Sequence, residues 1–269
     1  TGPLPSIESG LPLLEAPGLR HTLGVIASHF YDEPSRHMAV VGITGTDGKT
    51  SCAHFIAQAL SDTQDGLCGL LGTLGLGVYS AVDPTLHTTP DVLSVQNWLA
   101  KLVAGGRRYA VMEASSHALD QGRVEGVEFA VAVLTHLSRD HLDYHGSLEA
   151  YAAAKQRLFL SHHPRWAVLN LDDSFGRNIA ADLCGATPAL VGYGLSEQPA
   201  RLERFVWGET LDLSPIGLRL RIRSSWGNGE LRVGVLGRFN ASNLLAALAT
   251  LLVLDLPLSE ALTRLARTV

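Results

Sequence analysis

Short runs of apolar, β-branched residues alternate along this 269-residue chain with longer segments whose apolar positions recur at helical spacing. MAVVGIT (38–44) precedes a helical pattern over about 50–60, and GLCGLLG (66–72) leads into TTPDVLSVQNWLAKLVAG, where Thr89 and Pro90 precede the helix. Three further runs are apolar throughout, as in strands buried on both faces: YAVMEA (109–114), FAVAVLTH (129–136) and WAVLNL (166–171). The alternation predicts an α/β fold, a mostly parallel sheet with helices on both faces.

The pattern changes in the second half of the chain. Helical patterns over 146–160 and 174–183 are followed, within 202–235, by three strand-like pieces: VWGETLDL, GLRLRIRSS and GELRVGVL. Trp226-Gly227-Asn228-Gly229 joins the last two pieces and predicts a hairpin. We therefore expect a small antiparallel β appendage, then a helix over 240–254 and another that begins near an N-cap at Ser259.

Composition and charge narrow the class of protein. Hydrophobic residues make up 46% and charged residues 17%, as in ordinary globular proteins. The net charge of −5 argues against a nucleic-acid binder, although local groups can still hold a small anionic substrate. Three cysteines, Cys52, Cys68 and Cys184, lie far apart, which favours a reduced, cytoplasmic protein.

The chain contains no apolar run near the roughly 18 residues that span a bilayer, and TGPLPSIESG at its start lacks the features of a signal peptide. We expect no membrane insertion. The chain begins without methionine and stops at Thr268-Val269, just after a helical pattern, so we expect a piece of a longer protein.

The stretch VVGITGTDGKTS (40–51) has the outline of a phosphate-binding loop. The strict spacing G-x-x-x-x-G-K-[ST] fails, because Ile43 occupies the first glycine position. Glycines at 42, 45 and 48 nevertheless allow backbone N–H groups and a helix N-terminus to face an anion. Lys49 is expected to reach terminal phosphates, and the Thr50 hydroxyl to bind Mg²⁺. The alternative is an ordinary glycine-rich connector, which the strand-GKTS-helix context disfavours.

Other candidate groups follow later strands. Glu113 ends an apolar strand, where a carboxylate beside a phosphate loop is placed to help hold Mg²⁺, or is simply a solvated strand end. LTHLSRDHLDYHG (134–146) contains three histidines without zinc-finger spacing, so a structural zinc is not expected. One or two of them are candidates to neighbour Mg²⁺ or phosphate. By pattern alone, Lys155 is a solvated helical lysine.

Five motifs that follow one another along the chain change the interpretation of these candidate residues: VGITGTDGKTS, HTTPD, EASSHALDQGRV, LSRDHLDYHGSLEAYAAAKQRLF and LGRFNASNLLAALATLL. Over about 11–269 the chain resembles the central domain of the Mur ligases, most of all the UDP-N-acetylmuramoyl-tripeptide synthetases. The family loop carries its glycines as they stand here, so Ile43 is no objection, although Asp47 replaces the usual asparagine. The resemblance implies that 1–35 is the tail of a preceding N-terminal domain with a linker. It also implies that 36–269 is the central ATP-binding domain and that the family's C-terminal domain is absent from this chain.

The resemblance also implies roles for individual residues, with ATP and Mg²⁺ as cofactors. Implied nucleotide-binding residues are Gly45, Thr46, Asp47, Gly48, Lys49, Thr50 and Ser51 in the loop, with Asn240 and Asn243 near the adenine. Implied substrate-binding residues are Thr88, Thr89, Ser115, Gln121 and Arg123. The implied metal ligands are Thr50, Glu113, His141 and Lys155, the last as a carbamate, and the implied catalytic residues are Lys49, Glu113, His141 and Lys155.

The implied reaction joins a diamino acid to UDP-N-acetylmuramoyl-L-alanyl-D-glutamate through an acyl phosphate, and such a domain alone is expected to bind nucleotide weakly and not complete ligation. Carbamylation of Lys155 makes physical sense, because a cationic amine within about 4 Å of Mg²⁺ costs several kcal/mol at an effective dielectric near 20. The choice of diamino acid lies in the absent domain, and overall similarity favours meso-diaminopimelate. We expect a monomer.

Three alternatives remain open. The first is another Mur ligase or a folylpolyglutamate synthetase, against which EASSHALDQGRV together with HTTPD speaks. The second is a non-catalytic nucleotide-binding relative, an idea that Asp47 supports and that the retained Lys49, Glu113, His141 and Lys155 oppose. The third, a switch or motor ATPase, lacks an apolar run that ends in paired Asp-Glu.

Overall fold

The structure is a computed structural model that describes residues 18–61, 66–183, 188–196 and 202–268. Within these ranges the strands form one sheet of order β11-β10-β9-β8-β7-β6-β1-β5-β2-β3-β4. Its strands are β1 (Ala39–Thr44), β2 (Gly69–Gly72), β3 (Gly75–Val78), β4 (Ala81–Asp83), β5 (Tyr109–Glu113), β6 (Val131–Leu134), β7 (Trp166–Asn170), β8 (Ala189–Gly194), β9 (Phe205–Ser214), β10 (Gly217–Ser224) and β11 (Gly227–Val233).

The described helices cover both faces of this sheet. They are α1 (Leu19–Phe30), α2 (Lys49–Ser61), α3 (Val92–Ala104), α4 (Ser116–Asp120), α5 (Leu142–His145), α6 (Leu148–Leu160), α7 (Ser174–Asp182), α8 (Arg238–Val253) and α9 (Leu258–Leu265), with a 3-10 turn at Pro34–His37. Successive strand residues face opposite ways. Val41 therefore packs with α2, α8 and α9, while Val40 packs with α3, α6 and α7. The predicted α/β fold is confirmed.

The centre of the sheet is parallel and its two edges are antiparallel. β1 lies between β5 and β6, and every neighbouring pair from β2 to β9 along the sheet order is parallel. The predicted antiparallel appendage is present as β9–β11, but it continues the main sheet because β8 pairs in parallel with β9. The opposite antiparallel edge, β2-β3-β4, has no counterpart in the sequence prediction.

Several predicted boundaries differ from the observed ones. The hairpin turn lies at Ser225-Trp226, since Ser224 pairs with Gly227, and Asn228-Gly229 belongs to β11. The N-cap of α3 is Asp91, two residues after Thr89, and its carboxylate accepts bonds from two backbone N–H groups. Ser259 lies inside α9, which has no side-chain cap. Cys184 and residues 1–17 of the predicted 1–35 tail lie outside the described residues, and the domain boundaries stay a prediction.

Parallel strands bring the candidate chemistry to one edge of the sheet. β1, β5 and β6 are adjacent, and their carboxyl ends lead directly into the loop at 45–48, into Ala114 and into Thr135. In open parallel sheets this edge is where ligands bind. α8 is buried around almost its whole circumference and packs against α2, which begins at Lys49. The loop is thus held between two strand ends and two helices.

Candidate functional site

The loop that joins β1 to α2 depends on glycine at two positions. Gly45 and Gly48 have φ values of 151° and 82°, a region that side chains with a Cβ rarely adopt. A Cβ on Gly45 would lie 2.0 Å from Thr135 Oγ1, and one on Gly48 would lie 2.4 Å from Asn243 Oδ1. The loop therefore passes close to β6 on one side and to α8 on the other.

Two lysines bind the same part of this loop. Lys49 Nζ donates to Gly45 O at 2.9 Å and to Thr46 O at 2.8 Å, and Lys155 Nζ donates to Gly45 O at 2.6 Å. The expectation of a solvated Lys155 from pattern alone is wrong, because its side chain is only 1% exposed. The sequence could not show that α6 turns this residue inward under the loop.

Burial and like charge disfavour the ammonium form of both lysines. Burial lowers the pKa of Lys155, with a further contribution from the charge of Lys49, to about 7. Burial also lowers the pKa of Lys49, against the attraction of Glu113, Asp47 and Asp140. Near neutral pH, a substantial share of the Lys155 amine is thus neutral and nucleophilic.

Glu113 is a buried carboxylate that three donor groups hold in place. Its Oε1 accepts from Thr50 Oγ1 and from Thr73 N, each at 2.9 Å, and its Oε2 accepts from Thr73 Oγ1 at 3.2 Å. The side chain is 1% exposed, so the alternative of a solvated strand end is wrong. Thr73, in the turn between β2 and β3, was missed because those short, glycine-rich strands carry a weak signal.

The five predicted substrate-binding residues form one connected network. Thr89 Oγ1 donates to Glu113 O at 2.7 Å and lies 3.4 Å from Ser115 Oγ. Arg123 donates to Thr89 O at 2.9 Å and, through two nitrogens, to Gln121 Oε1. Thr88 Oγ1 lies 3.2 Å from Thr73 Oγ1, which links the network to the Glu113 carboxylate.

This network reaches α5 through a tyrosine that the sequence analysis did not single out. Gln121 Nε2 donates to Tyr144 Oη at 3.0 Å, and the Tyr144 hydroxyl donates to Asp120 Oδ2 at 2.9 Å. Asp120 also lies 3.3 Å from Arg157 on α6. The amide of Gln121 is therefore oriented by groups on three helices.

His141 stands at the start of α5 in a strained conformation, with φ of 51°. Its Nε2 lies 3.4 Å from Asp140 Oδ2 and its side chain is 48% exposed. Its ring is 4.9 Å from that of His117, whose pKa is lowered by burial first and then by the neighbouring His141 and His145. Strain at an exposed residue beside the loop is typical of functional positions.

Two cavities meet at the loop. The smaller, about 260 Å³, is lined by the loop residues from Thr46 to Ser51 together with Glu113 and His141, and three residues complete its lining: Thr73, Thr88 and Ser115. Most of the polar side chains on this surface present oxygen atoms that can coordinate a metal. The Thr50 hydroxyl lies 2.9 Å from the Glu113 carboxylate, and both are hard ligands of the kind that Mg²⁺ prefers. These residues fit a magnesium ion that also binds phosphate oxygens.

The larger cavity, about 710 Å³, extends from the other side of the loop to α8. Asp47, Gly48 and Ser51 line both cavities, and Asn243 and Phe239 stand at the far wall. Asn240 is not among the described residues that line it; its side chain donates to Leu236 O at 3.0 Å and accepts from Asn243 Nδ2 at 3.3 Å. Asn240 therefore supports Asn243.

His136, one of the three candidate histidines, lines the larger cavity, whereas Asn170, Asp172 and the neighbouring Asp173 were not predicted. Asn170 donates to Thr135 O at 2.6 Å, and the Asp172 carboxylate accepts from Leu195 N at 2.7 Å. His136 Nδ1 lies 2.9 Å from Asp173, which also caps α7. The run WAVLNLDDS carries the signal that could have found them, because polar residues follow a buried strand at the same edge.

Two negative findings concern the described part of the chain. No three His, Cys, Asp or Glu side chains there converge well enough to hold a metal ion by themselves. A magnesium ion at Glu113 would consequently take most of its ligands from phosphate and water, as is common for this ion. Across the same ranges, no helix is both long and apolar enough to cross a membrane.

Comparison with known proteins gives consistent matches. The Mur ligase middle domain matches residues 43–251. The UDP-N-acetylmuramoyl-L-alanyl-D-glutamate–2,6-diaminopimelate ligase of Alkalilimnicola ehrlichii is 51% identical over 96% of this chain and 51% of its own. The ligase of the same name from Pseudomonas aeruginosa is 47% identical over 98% of this chain and 52% of its own. The chain thus spans about half the length of these relatives.

Solved structures match as well. A structure of a UDP-N-acetylmuramoyl-L-alanyl-D-glutamate–2,6-diaminopimelate ligase superposes with a TM-score of 0.83 at 33% identity, over 95% of this chain and 52% of that one. A Mycobacterium tuberculosis folylpolyglutamate synthase complexed with ADP and AMPPCP gives 0.72 at 16% identity, over 92% and 62%, which shows a shared fold alone. Since the matched family model spans most of the sheet and the loop, this chain belongs to the Mur ligase family and contains its middle domain.

Proposed function

We propose that this chain is the ATP-binding part of a ligase that adds a diamino acid, preferably meso-diaminopimelate, to UDP-N-acetylmuramoyl-L-alanyl-D-glutamate. One observation carries the proposal: Lys49, Thr50, Glu113 and Lys155 meet around a single phosphate-type loop, beside a polar network of the predicted substrate residues. The names of the relatives at 47–51% identity support the choice of substrates.

In the proposed reaction, a carboxylate oxygen of the D-glutamyl residue attacks the γ-phosphorus of ATP, and ADP leaves. The amine of the diamino acid then attacks the acyl carbon, phosphate leaves, and loss of a proton from nitrogen gives the amide. Lys49 moves from Gly45 O and Thr46 O to phosphate oxygens, while the loop N–H groups bind others. Catalysis rests mainly on orientation and charge neutralisation.

Glu113 and Thr50 are the proposed magnesium-binding pair, and His141 lines the same smaller cavity. A bound Mg²⁺ supplies neutralisation of phosphate charge. Thr73 keeps both carboxylate oxygens of Glu113 in place, which reduces the entropy lost on binding the ion. The larger cavity, with Asn243 and Phe239 at its wall, is the proposed place of the adenosine.

Lys155 is proposed to react with CO₂ and act as a carbamate. Its lowered pKa supports this, because only a neutral amine attacks CO₂, and the pKa of about 7 leaves such a form at neutral pH. The carbamate carries a negative charge where the ammonium would repel both Lys49 and the metal. Carbon-13 NMR of protein equilibrated with labelled bicarbonate tests this, and an unmodified amine would contradict it.

We further propose that the protein acts in the cytoplasm as a monomer. Burial of the free thiols of Cys52 and Cys68 is compatible with a reducing compartment. The isolated 269-residue chain is proposed to bind Mg-ATP weakly and not to complete ligation.

The decisive experiment measures ATP-dependent phosphate release by the full-length protein with the UDP-muramoyl-dipeptide and either meso-diaminopimelate or L-lysine. We expect turnover with the former and little with the latter. Lys49→Ala serves as the inactive reference, and Lys101→Ala, an exposed lysine on α3, as the matched control. Absence of turnover with both diamino acids, together with retained nucleotide binding, would favour a non-catalytic relative instead.

A further inference from the structure

Tyr151 is a buried residue that contacts both the phosphate loop and Lys155. It lies on α6 one turn before Lys155, so the two side chains share a helix face, and it is only 1% exposed. The Lys155 Nζ stands 4.4 Å from the centre of the Tyr151 ring. The Tyr151 hydroxyl lies 3.0 Å from Thr46 Oγ1. One side chain therefore joins two parts of the proposed site.

The Thr46 hydroxyl is a junction within the loop. Besides Tyr151, it accepts from Ser138 N at 3.0 Å and lies 3.2 Å from Ser138 O, so it ties the loop to the segment after β6. The carbonyl of the same residue accepts from Lys49 Nζ at 2.8 Å. A shift of Thr46 would thus displace the lysine expected to meet the phosphates.

If Tyr151 had a purely structural role, the expected effect of substitutions would differ from the effect that these contacts predict. A tyrosine that only fills the core tolerates phenylalanine, because the ring volume is retained. Here the hydroxyl bonds a residue 105 positions away in the loop, and the ring face meets an amine rather than an apolar group. The hydroxyl and the ring have separate partners, so their contributions can be separated by substitution.

We infer that Tyr151 is a positioning residue with two parts: its hydroxyl positions Thr46 and the phosphate loop, and its ring positions the amine of Lys155. The inference rests on the proposed function, since nucleotide binding is where the loop arrangement has its effect. Tyr151 is not among the described residues that line either cavity, so its influence passes through Thr46 and Lys155.

The test uses the full-length protein with three substitutions: Tyr151→Phe, Tyr151→Leu and Thr250→Val. The last removes a fully buried hydroxyl on α8 that donates to Ala246 O at 2.8 Å, and so matches the loss of a buried hydrogen bond outside the loop. Two quantities are measured: the Kd for a slowly hydrolysed ATP analogue with Mg²⁺, and the rate at which the Lys155 amine is reductively methylated in CO₂-depleted buffer, which keeps it free of carbamate, followed by peptide mass spectrometry. Lys101 provides the internal reference for labelling.

We expect Tyr151→Phe to raise the Kd by about two- to tenfold, the effect of one lost hydrogen bond, with the labelling rate of Lys155 unchanged. Tyr151→Leu should raise the Kd at least as much and also speed labelling of Lys155 by about tenfold, since the contact between the amine and the aromatic ring is lost. Thr250→Val should lower thermal stability and change neither quantity.

The roles of the hydroxyl and of the ring would be contradicted by different results. A Kd for Tyr151→Phe equal to that of the wild type would overturn the role of the hydroxyl. Unchanged labelling of Lys155 in Tyr151→Leu would overturn the role of the ring. If the wild-type protein itself does not bind the nucleotide analogue, both the proposed function and the role of the hydroxyl are wrong. The labelling result would still decide the role of the ring.

Discussion

Lys49 and Lys155 donate to the same acceptor, the carbonyl oxygen of Gly45, at 2.9 and 2.6 Å. They come from helices on opposite faces of the sheet, α2 and α6, and meet at the end of β1. Their mutual repulsion is one cause of the lowered pKa of Lys155, after burial. Binding of a phosphate or carbamylation of Lys155 would each relieve this repulsion.

Lys155 should make stability depend on pH in a defined window. Its folded pKa of about 7 lies below the ordinary 10.5, so between these values the unfolded chain binds the extra proton. The free energy of unfolding therefore rises with pH across the window. In CO₂-depleted buffer we expect Lys155→Met to lose about 1 kcal/mol per pH unit of this slope, measured by urea unfolding at several pH values above 7.

The measurement is best kept below pH 9. Burial raises the pKa of the Cys52 and Cys68 thiols above their ordinary 9.0, so the unfolded chain loses those protons first and stability falls at higher pH. Lys101→Met, which removes an exposed lysine, serves as the control. Equal slopes in Lys155→Met and the wild type would contradict the burial of a charged amine.

Gly48 should tolerate no side chain. Gly48→Ala places a Cβ at φ of 82° and 2.4 Å from Asn243 Oδ1, so we expect about 2 kcal/mol or more of destabilisation together with weaker Mg-ATP binding. Gly146→Ala is the matched control, because Gly146 has φ of 77° with no atom within 4 Å of the added Cβ. It should cost about 1 kcal/mol and leave nucleotide affinity unchanged. Similar effects of both substitutions would show that the contact with Asn243 is unimportant.

Asp47 should weaken nucleotide binding by its charge. Its carboxylate is exposed at the junction of the two cavities and lies 3.5 Å from Ser138 Oγ, whereas its carbonyl accepts from Thr135 Oγ1 at 2.6 Å. Asp47→Asn preserves that carbonyl bond and removes the charge. We expect the affinity for Mg-ATP, measured by calorimetry, to rise about fivefold at low salt and less at high salt.

The control for charge alone is Asp212→Asn, which changes net charge equally at an exposed position on β9. It should leave the affinity for Mg-ATP as it is in the wild type. Weaker binding in Asp47→Asn would mean that the carboxylate helps to hold the metal or the nucleotide, contrary to the electrostatic expectation.

We expect the Thr73 hydroxyl to affect both the binding of magnesium and the binding of the UDP-muramoyl-dipeptide. Thr73→Val retains shape and the backbone N–H bond to Glu113, but removes the hydroxyl contacts with Glu113 Oε2 and Thr88 Oγ1, each 3.2 Å. We expect the Mg²⁺ concentration for half-maximal turnover of the full-length protein, and the KM for the UDP-muramoyl-dipeptide, to rise about two- to tenfold.

Thr263→Val, which removes an exposed hydroxyl bonded within α9, is the comparison for the same chemical change. It should alter neither quantity. A rise in the Mg²⁺ requirement without a rise in the dipeptide KM would limit the role of Thr73 to the carboxylate.

Local pattern was sufficient for much of the fold. The buried runs that became β1, β5, β6 and β7 were predictable because strands covered on both faces are apolar throughout. The turn between β10 and β11 was misplaced, since Asn228-Gly229 is a strong local turn signal that strand pairing overrode. β3 and β4 are short, β3 contains two glycines, and both are specified mainly by pairing with the neighbouring strand.

By itself, the sequence determined the parallel α/β fold, the family, and the loop with Lys49, Thr50 and Glu113, because these depend on periodicity and on ordered motifs. Only the tertiary structure decided that Lys155 is buried under Gly45, that Thr73 holds Glu113, and that Tyr151 joins Thr46 to Lys155. The physical reason is that the contacts of Glu113 with Thr73, of Thr46 with Tyr151 and of Gly45 with Lys155 join residues 40, 105 and 110 positions apart. The direction in which each side chain points is set by the packing of helices on the sheet, which no local pattern encodes.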